Sequence, residues 1–158
     1  MKHRFGNFLT RLLWGGTVLS PVEARLFEAC MSALPDHLRT VVEAQVASCN
    51  LLQREIDGRA LNFYRKGRSA TDTPKLKMLV TEAPLIRISA RVYGLKEPVH
   101  ALLVAVNGRL FCMSLSRAVN SLGAGSGVRV EKVSQAWRSN FSLPGTPERS
   151  SEADGPEG

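Results

Sequence analysis

Two dipeptides constrain this chain more than any other feature: Asp57-Gly58 and Asn107-Gly108, each set between runs of alternating or continuously apolar residues. A tight reversal of an antiparallel strand pair needs positive φ at its centre, which Asn, Asp and Gly adopt at little cost and most residues resist. The first reversal joins strands at about 50–56 and 59–66, and the second joins strands at about 99–106 and 109–116. Pairing across Asp57-Gly58 puts Leu52, Ile56, Leu61 and Phe63 on one face, expected to be the core side. Pairing across Asn107-Gly108 puts Leu102, Val104, Val106, Phe111, Met113 and Leu115 on a bulky face, expected against helices. The opposite face, with Leu103, Leu110, Cys112 and Ser114 among smaller groups, is then the open one.

Between the two hairpins, Ile86, Ile88, Ala90 and Val92 alternate with Arg87, Ser89, Arg91 and Tyr93. That period of two describes a half-buried strand with one apolar and one basic face. Leu76, Met78 and Val80 add the pattern of a further short strand, and 128–133 that of another element.

Helices precede the strands. Ser20-Pro21-Val22-Glu23 is a capping box with proline at the first helical position, so a helix runs over 21–33 and buries Val22, Leu26, Ala29 and Cys30. Pro35 ends it and opens a second helix over 35–47, with Leu38, Val41, Val42 and Val46 as its apolar stripe. The fold class expected is α+β: a helical hairpin packed on one face of a four- or five-stranded antiparallel sheet built from two β-hairpins. Along the chain this gives a basic amphipathic N-terminal helix (1–16), the α+β domain (20–117), a Gly/Ser-rich linker with short elements (118–143) and a disordered acidic tail (144–158).

Charge points to partners and not to fold. The net charge is +7 over 158 residues, yet residues 144–158 set Arg149 against Glu148, Glu152, Asp154 and Glu157, a net of −3 that leaves +10 on the rest. Such a surplus favours polyanions or anionic lipid. Near the start, Phe5, Phe8, Leu9, Leu12 and Leu13 recur at helical spacing among Lys2, Arg4 and Arg11, with Trp14 at the end. Phe5, Phe8, Leu12 and Trp14 would suit an anionic membrane surface or a groove on a protein. The same stretch has the outline of a secretory leader, against which stand Arg11, Gly15-Gly16 and the helix start at Ser20. No apolar run approaches the roughly 20 residues that a spanning helix requires. Three widely spaced cysteines among apolar neighbours read as reduced, buried thiols, hence a cytoplasmic protein, with peripheral membrane contact as its variant.

The reactive inventory is sparse. His100 is placed on the core face beside Leu102, with Cys112 pointing the other way, so the two form no nucleophile and base. No CxxC, HxxxH or HExxH spacing offers a metal site. Glu55, Asp57, Glu82 and Glu97 sit at turns or strand ends, where solvation accounts for them. Gly123-Ala124-Gly125-Ser126-Gly127 lacks the strand-before, helix-after setting of a dinucleotide loop and reads as linker. The function expected is therefore a small non-enzymatic protein-interaction module without cofactor or metal. Its open sheet face would contact another protein or a second copy through Arg87, Arg91, Tyr93, Leu103, Leu110 and Cys112. The alternatives are nucleic-acid or other polyanion binding through Arg65, Lys66, Arg68, Arg87 and Arg91, and membrane attachment through the N-terminal helix.

Overall fold

The computed structural model describes residues 18–65 and 73–141, and within them the chain is α+β: two helices lie on one face of a six-stranded, wholly antiparallel sheet. Helix α1 is Pro21–Ala33 and α2 is Asp36–Ser48. The strands are β1 (Leu51–Arg54), β2 (Ala60–Tyr64), β3 (Glu82–Val92), β4 (Val99–Val106), β5 (Arg109–Leu115) and β6 (Val128–Ser134), in the spatial order β1-β2-β5-β4-β3-β6. The sheet thus has one or two strands more than expected. The stretch 118–143, expected as a Gly/Ser-rich linker with short elements and one of them at 128–133, supplies β6 at the sheet edge and the buried Trp137 and Phe141. Leu76, Met78 and Val80 form no strand; Met78 makes an isolated bridge to Phe141. The N-terminal 1–17, the loop 66–72 and the tail from 142 lie outside the described residues.

The helix starts follow local chemistry. The Ser20 hydroxyl accepts from the Glu23 amide at 3.3 Å and the Glu23 carboxylate accepts from the Ser20 amide at 2.7 Å, closing the capping box. Glu23 is also fully buried and accepts two bonds from Arg54 of β1, Nε at 2.8 Å and Nη2 at 2.5 Å. One carboxylate therefore caps α1 and ties it to the sheet edge.

The two turns differ. Asn107 (φ 51°) and Gly108 (φ 78°) both adopt positive φ, as a two-residue hairpin loop demands. At Asp57-Gly58 only the glycine does (φ 70°), and the Gly58 amide bonds the Glu55 carbonyl at 2.9 Å. This loop has four residues, 56–59, closed by Glu55 N–H to the Ala60 carbonyl at 2.9 Å. The register survives, with Arg54 opposite Leu61 and Leu52 opposite Phe63, but Ile56 sits in the turn and is exposed instead of facing the core.

The core lies between the helices and one sheet face. Leu26, Phe27 and Met31 of α1 meet Ile86, Ile88, Leu103, Leu61 and Met113 from the strands, all fully buried. Gln45 of α2 crosses this layer to the hairpin tip: its Nε2 donates to Gly108 O and Pro74 O, both at 2.8 Å, and its Oε1 accepts from the Leu110 amide at 2.7 Å. Burying a neutral amide costs little when every polar atom is bonded.

Arg54→Met should destabilise the protein by about 3–5 kcal/mol in urea titration, because it leaves the Glu23 carboxylate buried and uncompensated. Adding Glu23→Gln should restore part of that loss, since glutamine keeps the cap and removes the charge.

Candidate functional site

Strand β3 determines which way the sheet looks. Its inner side chains Ala83, Ile86, Ile88, Ala90 and Val92 are buried, while Arg87 and Arg91 are exposed. Pairing hands this orientation to β4: Ile88 lies opposite Ala101 and Ile86 opposite Leu103, while Arg87 lies opposite Leu102 and Ser89 opposite His100. The small residues Ala101 and Ala105 thus face the helices with Leu103, whereas Leu102, Val104 and Val106 are half-exposed on the other side. Neither helix covers that side, so it forms the candidate site.

Three bulges shape it. An extra residue in one strand of a pair breaks the alternation of faces. Between Pro84 and Ile86 the bulge puts both Leu85 and Ile86 in the core. Between Leu110 and Cys112 it leaves Leu110 inward and turns both Phe111 and Cys112 outward. Between Val130 and Lys132 it turns both Glu131 and Lys132 outward.

Two of the expected contact residues are therefore corrected. Leu103 (0% exposed) and Leu110 (4%) are buried beneath the helices and present nothing to a partner. Leu102, Val104, Val106 and Phe111, expected in the core, take their place on the open face, with Phe111 39% exposed and edge-on to Tyr64 at 6.2 Å. His100 is also on the open face and not in the core. It shares that face with Cys112, yet the partner of Cys112 is Val104, four residues from His100 along β4 or about 13 Å at the strand rise, so no thiol–imidazole contact forms.

The face divides into two halves. Toward β6, a concavity of ≈ 550 Å³ is lined by Arg87, Lys132, His100 and the serines 89, 114, 116 and 134, with no acid in its wall. Toward β1, the surface is apolar: Val104, Phe111, Cys112, Tyr64 and Leu51, bordered by Glu55, Glu82 and Arg109. The Cys112 thiol registers this border. Partial burial, then the charges of Glu55 and Glu82, push its pKa up to about 11. Burial alone pushes Cys30, inside α1, up to about 12. Neither thiol is a nucleophile near neutrality.

The other expected residues are scattered. Arg87 lines the concavity, but Arg91 is held by Glu131 at 2.9 Å. Exposed Tyr93 lies against Gly127, where an added Cβ would come within 2.7 Å of the ring. Arg65 bonds Thr73 and lines a hollow at the hairpin end with Gln45, Cys49, Lys75 and Arg109, which Val106 and Phe111 of the open face also border. Lys66 and Arg68, like Phe5, Phe8, Leu12 and Trp14, fall outside the described residues. Among the described residues named for a polyanion, Arg65 lies apart from Arg87 and Arg91, and the sequence reading missed Lys132 of β6, which does join Arg87. Among the described residues no three His, Cys or acidic side chains come together as a metal set, and no helix is long and apolar enough to cross a membrane.

No family model, curated protein or solved structure matches this chain. Its function has to be read from the site itself.

The hydrogen bond from Arg91, with the charges of Arg91 and Arg129, holds the Glu131 carboxyl below its ordinary range. Carboxyl NMR should find Glu131 titrating lower than in the Arg91→Gln variant. Because the folded value is the lower one, the stabilisation is present above the ordinary glutamate pKa and is lost as pH falls through the folded one.

Proposed function

We propose that this chain is a small non-enzymatic protein-interaction module, an adaptor or accessory protein whose uncovered sheet face is its contact surface. The observation that carries this reading is the orientation of β4: three of its apolar side chains, Leu102, Val104 and Val106, stay half-exposed while Val99, Ala101, Leu103 and Ala105 face the helices. With Phe111 and Tyr64 they make a contiguous apolar surface bordered by charge, the pattern of a binding patch with a polar rim. The partner is another protein or a second copy of the chain, met in the cytoplasm.

Polyanion binding is the second reading, favoured by the acid-free wall around Arg87, Lys132 and His100. It requires affinity for a single-stranded oligonucleotide that falls steeply with salt, with the salt slope reduced by about one for each cation removed.

Chemical cross-linking in the native cell, compared with Val104→Asp/Phe111→Asp, tests the first reading. A discrete partner, or a self-complex seen by sedimentation, should be lost in the variant while its thermal melt stays within a few degrees of the parent. Identical cross-linked species with both chains would overturn it. Arg87→Glu/Lys132→Glu should leave those species unchanged, whereas under the second reading it abolishes oligonucleotide binding.

A further inference from the structure

We propose that the concavity of the open face toward β6 is a binding site for one compact dianion, the phosphate group of a small phosphate monoester. This deepens the anion-binding reading: it rests on the same acid-free wall and names the anion as a single group and not a strand.

Strand register builds the site around Ser89. This residue of β3 stands opposite His100 of β4 on one side and Lys132 of β6 on the other, and Arg87 precedes it by two residues along β3. Directly opposed residues share a side at about 5 Å, and residues two apart on one strand share it at about 7 Å, so all three long side chains root close to the same serine. Ser89 is short and half-buried, whereas Arg87, His100 and Lys132 are exposed around it. The surface is therefore hollow at this point, with a volume of ≈ 550 Å³. An oxyanion seated over Ser89 is within reach of guanidinium, ammonium, imidazole and hydroxyl donors from different directions, which is what a tetrahedral group with several acceptor oxygens requires.

The acids nearest the hollow are engaged elsewhere. The β6 bulge carries Glu131 to Arg91 at 2.9 Å and Arg129 at 3.8 Å, and Glu97 bonds Arg117. Arg87 and Lys132 take part in no ion pair among the described residues, so uncompensated positive charge is concentrated at this one spot of the face. It does not continue as a track. Arg91 and Arg117 are neutralised by their acids, and past Leu102 the face turns apolar. A nucleic-acid strand needs a line of cations along its backbone and aromatic rings for its bases. Here Tyr93 lies against Gly127, and Tyr64 is edge-on to Phe111 in the other half. A single phosphate monoester, with close to two negative charges at neutral pH, matches Arg87 and Lys132 together, and Leu102 on the rim offers an apolar contact to its organic part.

The test is an NMR titration of the full-length, nitrogen-15-labelled chain at pH 7.5 and low salt. Three probes are compared: phenyl phosphate, phenyl sulfate, which has the same shape and one charge less, and a single-stranded oligonucleotide. Phenyl phosphate should shift the amides of Ser89, His100 and Lys132 saturably and bind about tenfold more tightly than phenyl sulfate. Arg87→Gln/Lys132→Gln should weaken phenyl phosphate about tenfold or more while melting within a few degrees of the parent. Ser89→Asp, which sets a carboxylate among the same three side chains, should abolish binding with both cations still present. Absence of saturable shifts at these amides overturns the proposal, as does undiminished binding by either variant. Equal affinity for the two phenyl esters overturns the dianion. If the oligonucleotide alone binds, with a salt slope of several charges, the polyanion reading stands and the single-group site is wrong. If no probe binds, both readings of the wall fall, and the protein contact of the apolar half is still decided by its own variant.

Discussion

Arginines 87 and 91 cannot be buried unpaired at reasonable cost, so β3 has only one admissible orientation, and every other strand inherits its faces from that one. The inheritance is mechanical. Antiparallel pairing places directly opposed residues on the same side, so Arg87 carries Leu102 outward with it and Ile88 carries Ala101 inward. Two charged side chains in one strand thereby decide the fate of an almost wholly apolar neighbour. Alanines on the inner side let the helices approach closely, and the volume they leave is filled from the helices by Leu26, Phe27 and Met31.

Two buried polar groups lock the helical layer over that side. Glu23 belongs at once to the cap of α1 and to the ion pair with Arg54, so helix start and sheet edge are set by the same carboxylate. Gln45 does the equivalent for α2, satisfying the backbone of the β4–β5 hairpin at Gly108 and Leu110. Such groups contribute little net free energy when bonded, but leaving any of them unbonded is costly, so they select one placement of the helices over its neighbours.

The consequence is a sheet with two unlike sides. The helical side is dry and packed. The other carries an acid-free basic concavity toward β6 and an apolar surface bordered by charges of both signs toward β1.

Much of the architecture was legible in the residues. Asp57-Gly58 and Asn107-Gly108 mark both reversals, Ser20 to Glu23 marks the start of α1, and the arginine alternation marks β3, because each of these signals is local. What the residues could not disclose was the inside of β4. Leu102, Val104 and Val106 are apolar, as are Leu103 and Ala105, so periodicity carries no sign there. Size favoured the wrong side, and the bulge that follows Leu110 defeats any reading with a strict period of two. The sequence by itself determined the turns, the cap and the orientation of β3. Only the tertiary structure decided which face of the central hairpin meets the helices, because that choice is made by pairing across the sheet and not within the strand.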